Sequence, residues 1–301
     1  MLCYKTKLGE AYCGKSEILI DMLEDESVDL FITSPPYPLI NPKEYGNKSQ
    51  EIYDDWIYGF IKRMLPKLKS SGSIVLDFGV SYFKGEPAYN IYAFRLLVRL
   101  VDELGLKLCQ PYFWYNPSRL PMQAVYTSKR KIRAKDNVNN IWWLSKTAFP
   151  KADTTKVLRP YSKAMKKLFR SRKLKGTSWK KNDGALPTNL LEISNSDNKN
   201  KYLQACRMLN MKPHPARFPK RLPEFFIKML TDEGDLVIDI FAGSNTVGEV
   251  SESLNRRWKS FEFNRDYVAS SAFRFISDID NARACYEMIV HGRGSVDITE
   301  Y

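Results

Sequence analysis

The segment Thr33-Ser-Pro-Pro-Tyr37 has residue types and spacing that suit chemistry on an amine. Two successive prolines hold φ at about −65° and keep Ser34 out of the helical region, so this loop is stiff. It can present the Ser34 hydroxyl, the carbonyls of Pro35 and Pro36 and the Tyr37 ring in one direction. Acceptors that bind amine hydrogens, beside a ring that holds an extruded base, suit methylation of an exocyclic amine. The structural alternative is a proline turn capped by Ser.

A second motif, Asp239-Ile-Phe-Ala-Gly-Ser-Asn-Thr-Val-Gly248, links a predicted strand to a predicted helix through a glycine loop. Gly243 allows a tight turn, and Asn245 stands where a dinucleotide fingerprint has its middle glycine, which removes the room for a pyrophosphate. Asn still tolerates a left-handed turn. Glu262 lies 23 residues after Asp239, where a carboxylate can bind both ribose hydroxyls. The pattern indicates a nucleoside without phosphates, such as S-adenosylmethionine (SAM); the alternative is a glycine turn and a surface glutamate.

Strand and helix patterns predict how these motifs are positioned. We expect strands over Val28–Thr33, Ser73–Phe78, Asp235–Phe241 and Trp258–Phe263, and helices over Tyr53–Leu68, Pro223–Leu230 and from Thr246 towards Asn255. Ser70-Ser-Gly72 is expected to end the first helix. Strands separated by helices predict a parallel α/β sheet with helices on both faces and a ligand at the carboxyl ends of the strands.

Positive charge is concentrated in the middle of the chain. The 301 residues carry a formal net charge of +13, and 44% of them are apolar. From Arg119 to Lys181 there are 19 Lys and Arg against two Asp, a net charge of +17, which leaves −4 for the rest. Aromatic residues are interleaved with this charge: Trp142, Trp143, Tyr161, Phe169 and Trp179. The block predicts a folded, phosphate-contacting surface, with a merely solvated face as the alternative.

Composition also argues against several classes of protein. No stretch approaches the roughly 20 apolar residues of a membrane span, and the start lacks a signal peptide, so a cytoplasmic location is expected. There are two His, and the five Cys never form a CxxC pair. These are Cys3, Cys13, Cys109, Cys206 and Cys285. We therefore expect reduced thiols and no bound metal.

In their order along the chain, the motifs resemble the β-group of DNA amino-methyltransferases, whose catalytic motif precedes the cofactor motif. The resemblance rests on Thr33–Tyr37, His214-Pro-Ala-Arg-Phe-Pro219 and Asp239–Gly248, and it is closest to the PvuII-type cytosine-N4 enzymes. It extends over nearly the whole chain through six further segments: Val75–Gly79, Phe113–Pro117, Lys129–Arg133, Trp142-Trp143, Leu222–Phe226 and Ala269–Phe275.

This resemblance implies a Rossmann-like, seven-stranded, circularly permuted sheet that binds SAM. Residues 1–118 would form the catalytic half, 119–210 a basic target-recognition region and 211–301 the cofactor-binding half. The implied cofactor residues are Phe218, Asp239, Phe241, Gly243, Ser244, Asn245, Thr246, Glu262 and Phe263. Phe263 is expected to pack on the cofactor adenine.

The implied catalytic residues are Ser34, Pro35, Pro36, Tyr37 and Asp77. Asp77 either accepts a hydrogen bond from Ser34 and draws a proton from the amine, or caps a loop. The basic block contributes the expected DNA contacts: Arg119, Lys129, Arg130, Lys131, Arg133 and Lys135. Gly14-Lys15-Ser16 departs from the Gly-Asp pair usual in the family, so the adenine amine is either not recognised or recognised by backbone carbonyls.

Ser34 favours a flipped cytosine in double-stranded DNA as substrate, because the family usually has Asp at this position for adenine. An N6-adenine methyltransferase and a catalytically inactive DNA-binding relative remain alternatives. A C5-cytosine enzyme would need a nucleophilic Cys in a Pro-Cys loop, and the chain has none. The target sequence, for which a CAGCTG-like palindrome is the first candidate, the oligomeric state and a partner restriction endonuclease acting on the same site are left open.

Overall fold

The computed structural model describes residues 1–38, 49, 52–171, 183–195, 200–292 and 294–300. Its strands are β1 Leu2–Lys5, β2 Gly9–Cys13, β3 Val28–Thr33, β4 Leu68–Phe78, β5 Lys107–Tyr115, β6 Val138–Ser145, β7 Leu190–Glu192, β8 Leu236–Asp239, β9 Arg257–Glu262 and β10 Val296–Asp297. Its α-helices are α1 Ser16–Asp21, α2 Tyr53–Lys67, α3 Tyr92–Asp102, α4 Lys163–Arg170, α5 Lys201–Met208, α6 Arg221–Leu230, α7 Thr246–Ser253, α8 Arg265–Ser271 and α9 Ile279–Val290.

The described strands form one sheet in the order β10-β1-β2-β9-β8-β3-β4-β6-β5-β7. From β2 to β4 the neighbours in this order are parallel, whereas β6 is antiparallel to both β4 and β5. The resemblance implied seven strands, and the described sheet has ten. The difference arises at the edges, where the short strands β10 and β1 extend one side and β7 extends the other.

Helices cover both faces of the sheet, as expected. Every residue of β3 is buried, which fits a central parallel strand. Helices α2 and α3 pack on one face through side chains such as Phe60 and Leu96. Helices α6 and α7 pack on the other through side chains such as Phe226 and Val247. Burial on both faces fixes the strand ends that carry the two motifs.

Helix α2 ends at Lys67, one residue before its predicted end, but Ser70-Ser-Gly72 is not the segment that ends it. Strand β4 begins at Leu68, directly after α2, and Leu68 already pairs with Val28. The register then shifts, and Gly72 fits where a Cβ would lie 2.7 Å from the Leu68 side chain and 3.0 Å from the Asp29 carbonyl. The Ser-Gly segment is therefore an irregular stretch of strand. Strand β8 is shorter than expected and ends at Asp239.

The central region contributes strands to the sheet, while its division from the rest of the chain at 119–210 stays a prediction. Strand β6 lies within the sheet between β4 and β5, and β7 pairs with β5. Trp142 and Trp143 are buried in the core, so they are not part of a charged surface. Tyr161 and Phe169 contact each other in an edge-on arrangement, and Trp179 lies outside the described residues. Strand β6 does not stand out in the sequence because the polar residues on either side of it interrupt the alternation of strands and helices.

Two expectations from composition concern membrane-spanning segments and the state of the cysteines. Among the described residues, no helix is both long and apolar enough to cross a membrane. All five cysteines are free thiols, and three of them, Cys3, Cys206 and Cys285, are buried.

Candidate active site

The two sequence motifs meet because their strands are neighbours. Strands β3 and β8 are parallel and in register, with Leu30 opposite Val237, so their carboxyl ends reach the same edge of the sheet. The Thr33 hydroxyl donates to the Asp239 carboxylate at 2.6 Å and links the two loops. Strand β4, on the other side of β3, ends next to Asp77 at this edge. Three strand ends thus form one site, as parallel α/β sheets predict.

Asp77 is the centre of a cluster of hydrogen bonds. Its Oδ2 accepts from the Ser34 hydroxyl at 3.0 Å and from the Tyr37 hydroxyl at 2.8 Å. The Asn139 amide donates to Asp77 Oδ1 at 2.9 Å. The expected hydrogen bond between Ser34 and Asp77 is therefore present. No sequence pattern points to Asn139, because its strand, β6, does not follow the alternation of strands and helices.

Electrostatics decide which groups in this cluster carry protons. Burial raises the pKa of Asp77, and donation from Asn139, Tyr37 and Ser34 opposes that rise. Burial, together with the charge of Asp77, holds the pKa of Tyr37 well above its ordinary value, so Tyr37 stays a neutral phenol. An ionised Asp77 can only accept hydrogen bonds. Ser34 then donates its hydrogen to Asp77, and its lone pairs remain available for an amine hydrogen.

The glycine loop is held in shape by its neighbours. Gly243 has φ +50°, and a Cβ there would lie 2.8 Å from the His214 ring, so glycine is required on both counts. The Gly243 amide donates to Glu262 Oε2 at 2.9 Å, and the Asn264 amide donates to Oε1 at 2.9 Å. Burial raises the pKa of Glu262 despite these bonds. The loop therefore fixes the carboxylate that was expected to bind a ribose.

Asn245 has the predicted left-handed conformation, with φ +56°. Its side chain caps α7 by accepting from the Gly248 amide at 3.0 Å and donates to the Tyr4 hydroxyl at 2.9 Å. These buried contacts give the Asn245 side chain a structural role, and its contact with a cofactor stays a prediction. Ser244 and Thr246 accept hydrogen bonds from the buried Arg274.

A cavity of about 570 Å³ joins the Asp77 cluster to the glycine loop. This volume lies within the range of about 300–1,000 Å³ that is typical of small-molecule sites. Most of the predicted residues line it: Ser34, Pro35, Pro36, Tyr37, Asp77, Phe218, Asp239, Phe241, Ser244, Thr246, Glu262 and Phe263. Residues that sequence reasoning did not assign also line it: Trp56, Phe60, Trp114, Asn139, Asn195, His214 and Arg217. Trp114 and His214 belong to segments of the resemblance and could have been found there.

Besides Glu262, the cavity lining includes the exposed aromatic side chain of Phe263 and the basic side chain of Lys15. Phe263 is 72% exposed while lining the cavity, so its ring is available to a ligand. Lys15 also lines the cavity, and the neighbouring Ser16 hydroxyl donates to the Ile240 carbonyl at 2.6 Å. The departure from the usual Gly-Asp pair thus lies at the edge of the candidate cofactor site.

The residues predicted to contact DNA divide into three groups. Lys129, Arg130, Lys131 and Lys135 are exposed on the loop between β5 and β6. Arg119 is partly buried and lines the cavity. Arg133 packs over the rings of Tyr82 and Tyr89, 4.9 and 4.6 Å from their centroids, and donates to the Pro87 carbonyl at 2.8 Å. Arg133 therefore anchors this loop, and its contact with DNA stays a prediction.

Asp239 gives the site a testable dependence of stability on pH. Burial raises its pKa from 3.8 to about 7, against hydrogen bonds from Thr33 and the Phe241 amide. The folded state thus binds this proton more tightly, so the stabilisation is full below about pH 4, declines as the pH rises and is lost above about pH 7. Asp239→Asn mimics the protonated form. We expect the variant to unfold at a higher temperature than the wild type at pH 8.

The shift in pKa limits the difference in free energy of unfolding between the two proteins to no more than about 4 kcal/mol. Thermal unfolding of both proteins from pH 4 to 8 measures it, and the difference in melting temperature should grow with pH. Asp235→Asn, a change in a nearby carboxylate paired with Lys151, is the matched control. A difference for Asp239→Asn that does not vary with pH would contradict a raised pKa at this residue.

Comparisons with known proteins agree with this geometry. Residues 28–273 match a family model described as DNA methylase, N6_N4_Mtase. The chain is 50% identical over 288 residues to the Type II methyltransferase M.PvuII of Proteus hauseri, covering 91% of this chain and 86% of that protein. A solved PvuII DNA methyltransferase, described as cytosine-N4-specific, superposes with a TM-score of 0.84 at 45% identity over 98% of this chain and 97% of that one.

A more distant structure shares the fold. The SAM complex of M1.HpyAVI superposes with a TM-score of 0.57 at 16% identity and covers 90% of this chain and 100% of that one. At this identity the match bears on the fold alone.

Proposed function

The chain belongs to the N6/N4 family of DNA methylases, and we propose that it transfers a methyl group from SAM to the exocyclic N4 of a flipped cytosine in double-stranded DNA. One observation supports this proposal above the others. The Ser34 hydroxyl is bonded to Asp77 at 3.0 Å and lines the same cavity as the glycine loop and Glu262. An amine acceptor and a nucleoside site thus share one cavity.

The residues of the cavity fit SAM. Glu262 offers a carboxylate for the two ribose hydroxyls, and the exposed ring of Phe263 offers a face to the adenine. Aromatic rings of Trp56, Phe60 and Phe241 pack together and give the cavity an apolar wall. When bound, SAM supplies an activated methyl group on a sulfonium centre.

The roles of the catalytic residues follow from their bonding. The N4 lone pair of cytosine is delocalised into the ring, so the amine is a weak nucleophile until it becomes pyramidal. Ser34 and the Pro35 carbonyl accept its two hydrogens, which favours that geometry. As the methyl group arrives, one amine proton leaves through Ser34 to Asp77. Methyl transfer is direct, with no covalent bond between the enzyme and the base.

The exposed basic residues between β5 and β6 suit the DNA backbone. We assign Lys129, Arg130, Lys131 and Lys135 to phosphate contacts.

The organisation of the chain is part of the same proposal. Residues 1–118, 119–210 and 211–301 would differ in function, as the catalytic, target-recognition and cofactor-binding parts. A circular permutation is supported by the chain order, in which β3 precedes β8. A cytoplasmic location and a restriction endonuclease acting on the same site are parts of the same proposal, the latter because M.PvuII is a Type II methyltransferase.

The direct test in cells is to sequence modified bases in DNA from bacteria that express the chain. The result reports the base, the position and the surrounding motif together. We expect N4-methylcytosine at one short palindrome, with CAGCTG as the first candidate. Cells expressing Ser34→Ala provide the background, and a modified adenine in its place would contradict the proposed base.

Glu262 should govern affinity for SAM. Glu262→Ala removes two charge-assisted hydrogen bonds to the ribose, so the dissociation constant should rise about 10-fold or more. Calorimetric titration with SAM measures this, with Glu233→Gln, an exposed acidic position, as control. Because Glu262 also accepts from the Gly243 amide, Glu262→Gln is included to keep the loop in place. Unchanged affinity in both Glu262 variants would remove the ribose assignment.

Lys129 and Lys131 should determine how DNA binding responds to salt. Each phosphate contact that is lost should lower the slope of log affinity against log salt by about 0.9. We expect Lys129→Ala together with Lys131→Ala to weaken binding and to flatten this slope in titrations of duplex DNA. Lys201→Ala, a change of an exposed lysine in helix α5, is the control. If the double variant keeps both affinity and slope, the DNA groove lies elsewhere.

A further inference from the structure

Arg119 is fixed at the wall of the cavity, away from the open surface of the basic loop. Its backbone amide donates to the Asn116 carbonyl at 3.2 Å, and Asn116 Oδ1 in turn accepts from the Ser118 amide at 3.1 Å. The guanidinium carbon lies 5.9 Å from the centroid of the buried Trp114 ring. This turn and ring give the Arg119 side chain a defined direction.

Asn139 ties the guanidinium to the catalytic cluster. Arg119 Nη2 donates to Asn139 Oδ1 at 2.6 Å, and Asn139 Nδ2 donates to Asp77 Oδ1 at 2.9 Å and to the Tyr37 hydroxyl at 3.2 Å. Asn139 is 1% exposed, so these bonds are shielded from water. Three hydrogen bonds therefore connect Arg119 to Ser34 through Asn139 and Asp77 along one wall of the cavity.

The guanidinium has donors left for a ligand. Arg carries five N–H donors in a planar fork and no acceptor. Within the described part of the chain, the Arg119 guanidinium donates to one acceptor side chain, Asn139, and does so through Nη2. Since Arg119 lines the cavity, the remaining N–H groups are available to acceptors that enter it.

Cytosine and adenine present different edges to such a fork. Beside its N4 amine, cytosine has two acceptors in a row, N3 and O2. Beside its N6 amine, adenine has the N1 acceptor and then an apolar C2–H. A guanidinium fork pairs with two adjacent acceptors in a bidentate manner. We propose that Arg119 recognises the N3 and O2 edge of the flipped cytosine while Ser34 holds its amine, an inference that rests on the proposed function.

The competing role for Arg119 is the phosphate contact expected from the sequence. Arg130 offers the matched comparison, because it belongs to the same loop, is exposed and has its guanidinium carbon 5.9 Å from the Tyr126 ring. A phosphate contact would act on every base equally, whereas an edge contact depends on the atoms of the target base.

The test combines a protein variant with a change of one atom in the base. Wild type, Arg119→Gln and Arg130→Gln are assayed on a duplex with cytosine or 3-deazacytosine, which lacks the N3 acceptor, at the target position. We expect Arg119→Gln to lower kcat/KM on cytosine about 10- to 100-fold. The penalty of 3-deazacytosine is the ratio of kcat/KM on cytosine to kcat/KM on the analogue, and it should be smaller by a similar factor in Arg119→Gln than in the wild type. The intrinsic reactivity of the analogue is the same for both proteins, so it cancels when their penalties are compared.

Arg130→Gln should keep the full penalty of the analogue and lower the salt slope. Arg119→Lys keeps the charge without the planar fork, so it should resemble Arg119→Gln. The inference would be overturned, and the phosphate role restored, if 3-deazacytosine carried the same penalty in Arg119→Gln as in the wild type while the variant lowered the salt slope by about 0.9. Formation of N4-methylcytosine by the wild type separates this failure from failure of the proposed function. Thermal unfolding and SAM affinity establish that each variant is folded.

Discussion

Asp77→Asn is expected to lower kcat by about 10²- to 10³-fold, the scale of losing a proton acceptor that is part of a preorganised site. The carboxylate must be ionised to accept from Ser34 and to take the amine proton. Because burial raises the pKa of Asp77, activity should fall as the pH decreases through that raised pKa. The variant has no ionisation at this position, so the acidic limb of its pH–kcat profile should disappear.

The measurement is single-turnover methyl transfer between pH 5 and 9. Asp102→Asn, at the exposed end of α3, is the matched control and should keep the profile of the wild type. Since three side chains donate to Asp77, cofactor affinity and thermal unfolding of the variant are measured in parallel. An Asp77→Asn protein that is folded, active and limited by the same acidic limb would contradict the role of Asp77.

Ser34→Ala should slow transfer by about 10²-fold, the scale of losing one polar contact to a transition state. It should leave the affinities for SAM and DNA close to those of the wild type. The bond of 3.0 Å between Ser34 and Asp77 makes the two residues one unit, so their losses should be non-additive. We expect Asp77→Asn to cost much less in the Ser34→Ala background than alone.

A double-mutant cycle on kcat measures this coupling. The wild type, both single variants and the double variant are compared at saturating SAM and DNA. Ser81→Ala, a buried serine that donates to the Pro38 carbonyl just beyond the motif, controls for disturbance of the loop. Losses that multiply without any coupling would exclude proton transfer through Ser34.

The strand ends could be predicted from the sequence because they carry strong local signals. Thr33–Tyr37 and Asp239–Gly248 each follow a short apolar run, and parallel strands bring their carboxyl ends to one edge. The hydrogen bond between Ser34 and Asp77 followed from the same reasoning. Its partner Asn139 did not, because it lies at the start of an antiparallel strand whose neighbours along the chain are polar.

The roles of individual side chains were harder to predict, because they depend on contacts far apart in the chain. Asn245 also donates to the Tyr4 hydroxyl, 241 residues away, which no local pattern indicates. Arg133 and Arg119 look alike as members of a basic run. The structure separates their roles. Arg133 packs against Tyr82 and Tyr89 and anchors the loop, whereas Arg119 donates to Asn139 and lines the cavity.

The identity of the methylated nucleoside tests the proposed function most directly. Purified protein is incubated with duplex DNA and SAM carrying a deuterated methyl group, and the DNA is digested and analysed by mass spectrometry. Ser34→Ala and Asp77→Asn proteins serve as controls for the reaction at this site. We predict deuterated N4-methyldeoxycytidine, formed by the wild type and reduced at least about 10²-fold in both variants. Deuterated N6-methyldeoxyadenosine, or no labelled nucleoside from a folded protein that binds SAM and DNA, would contradict it.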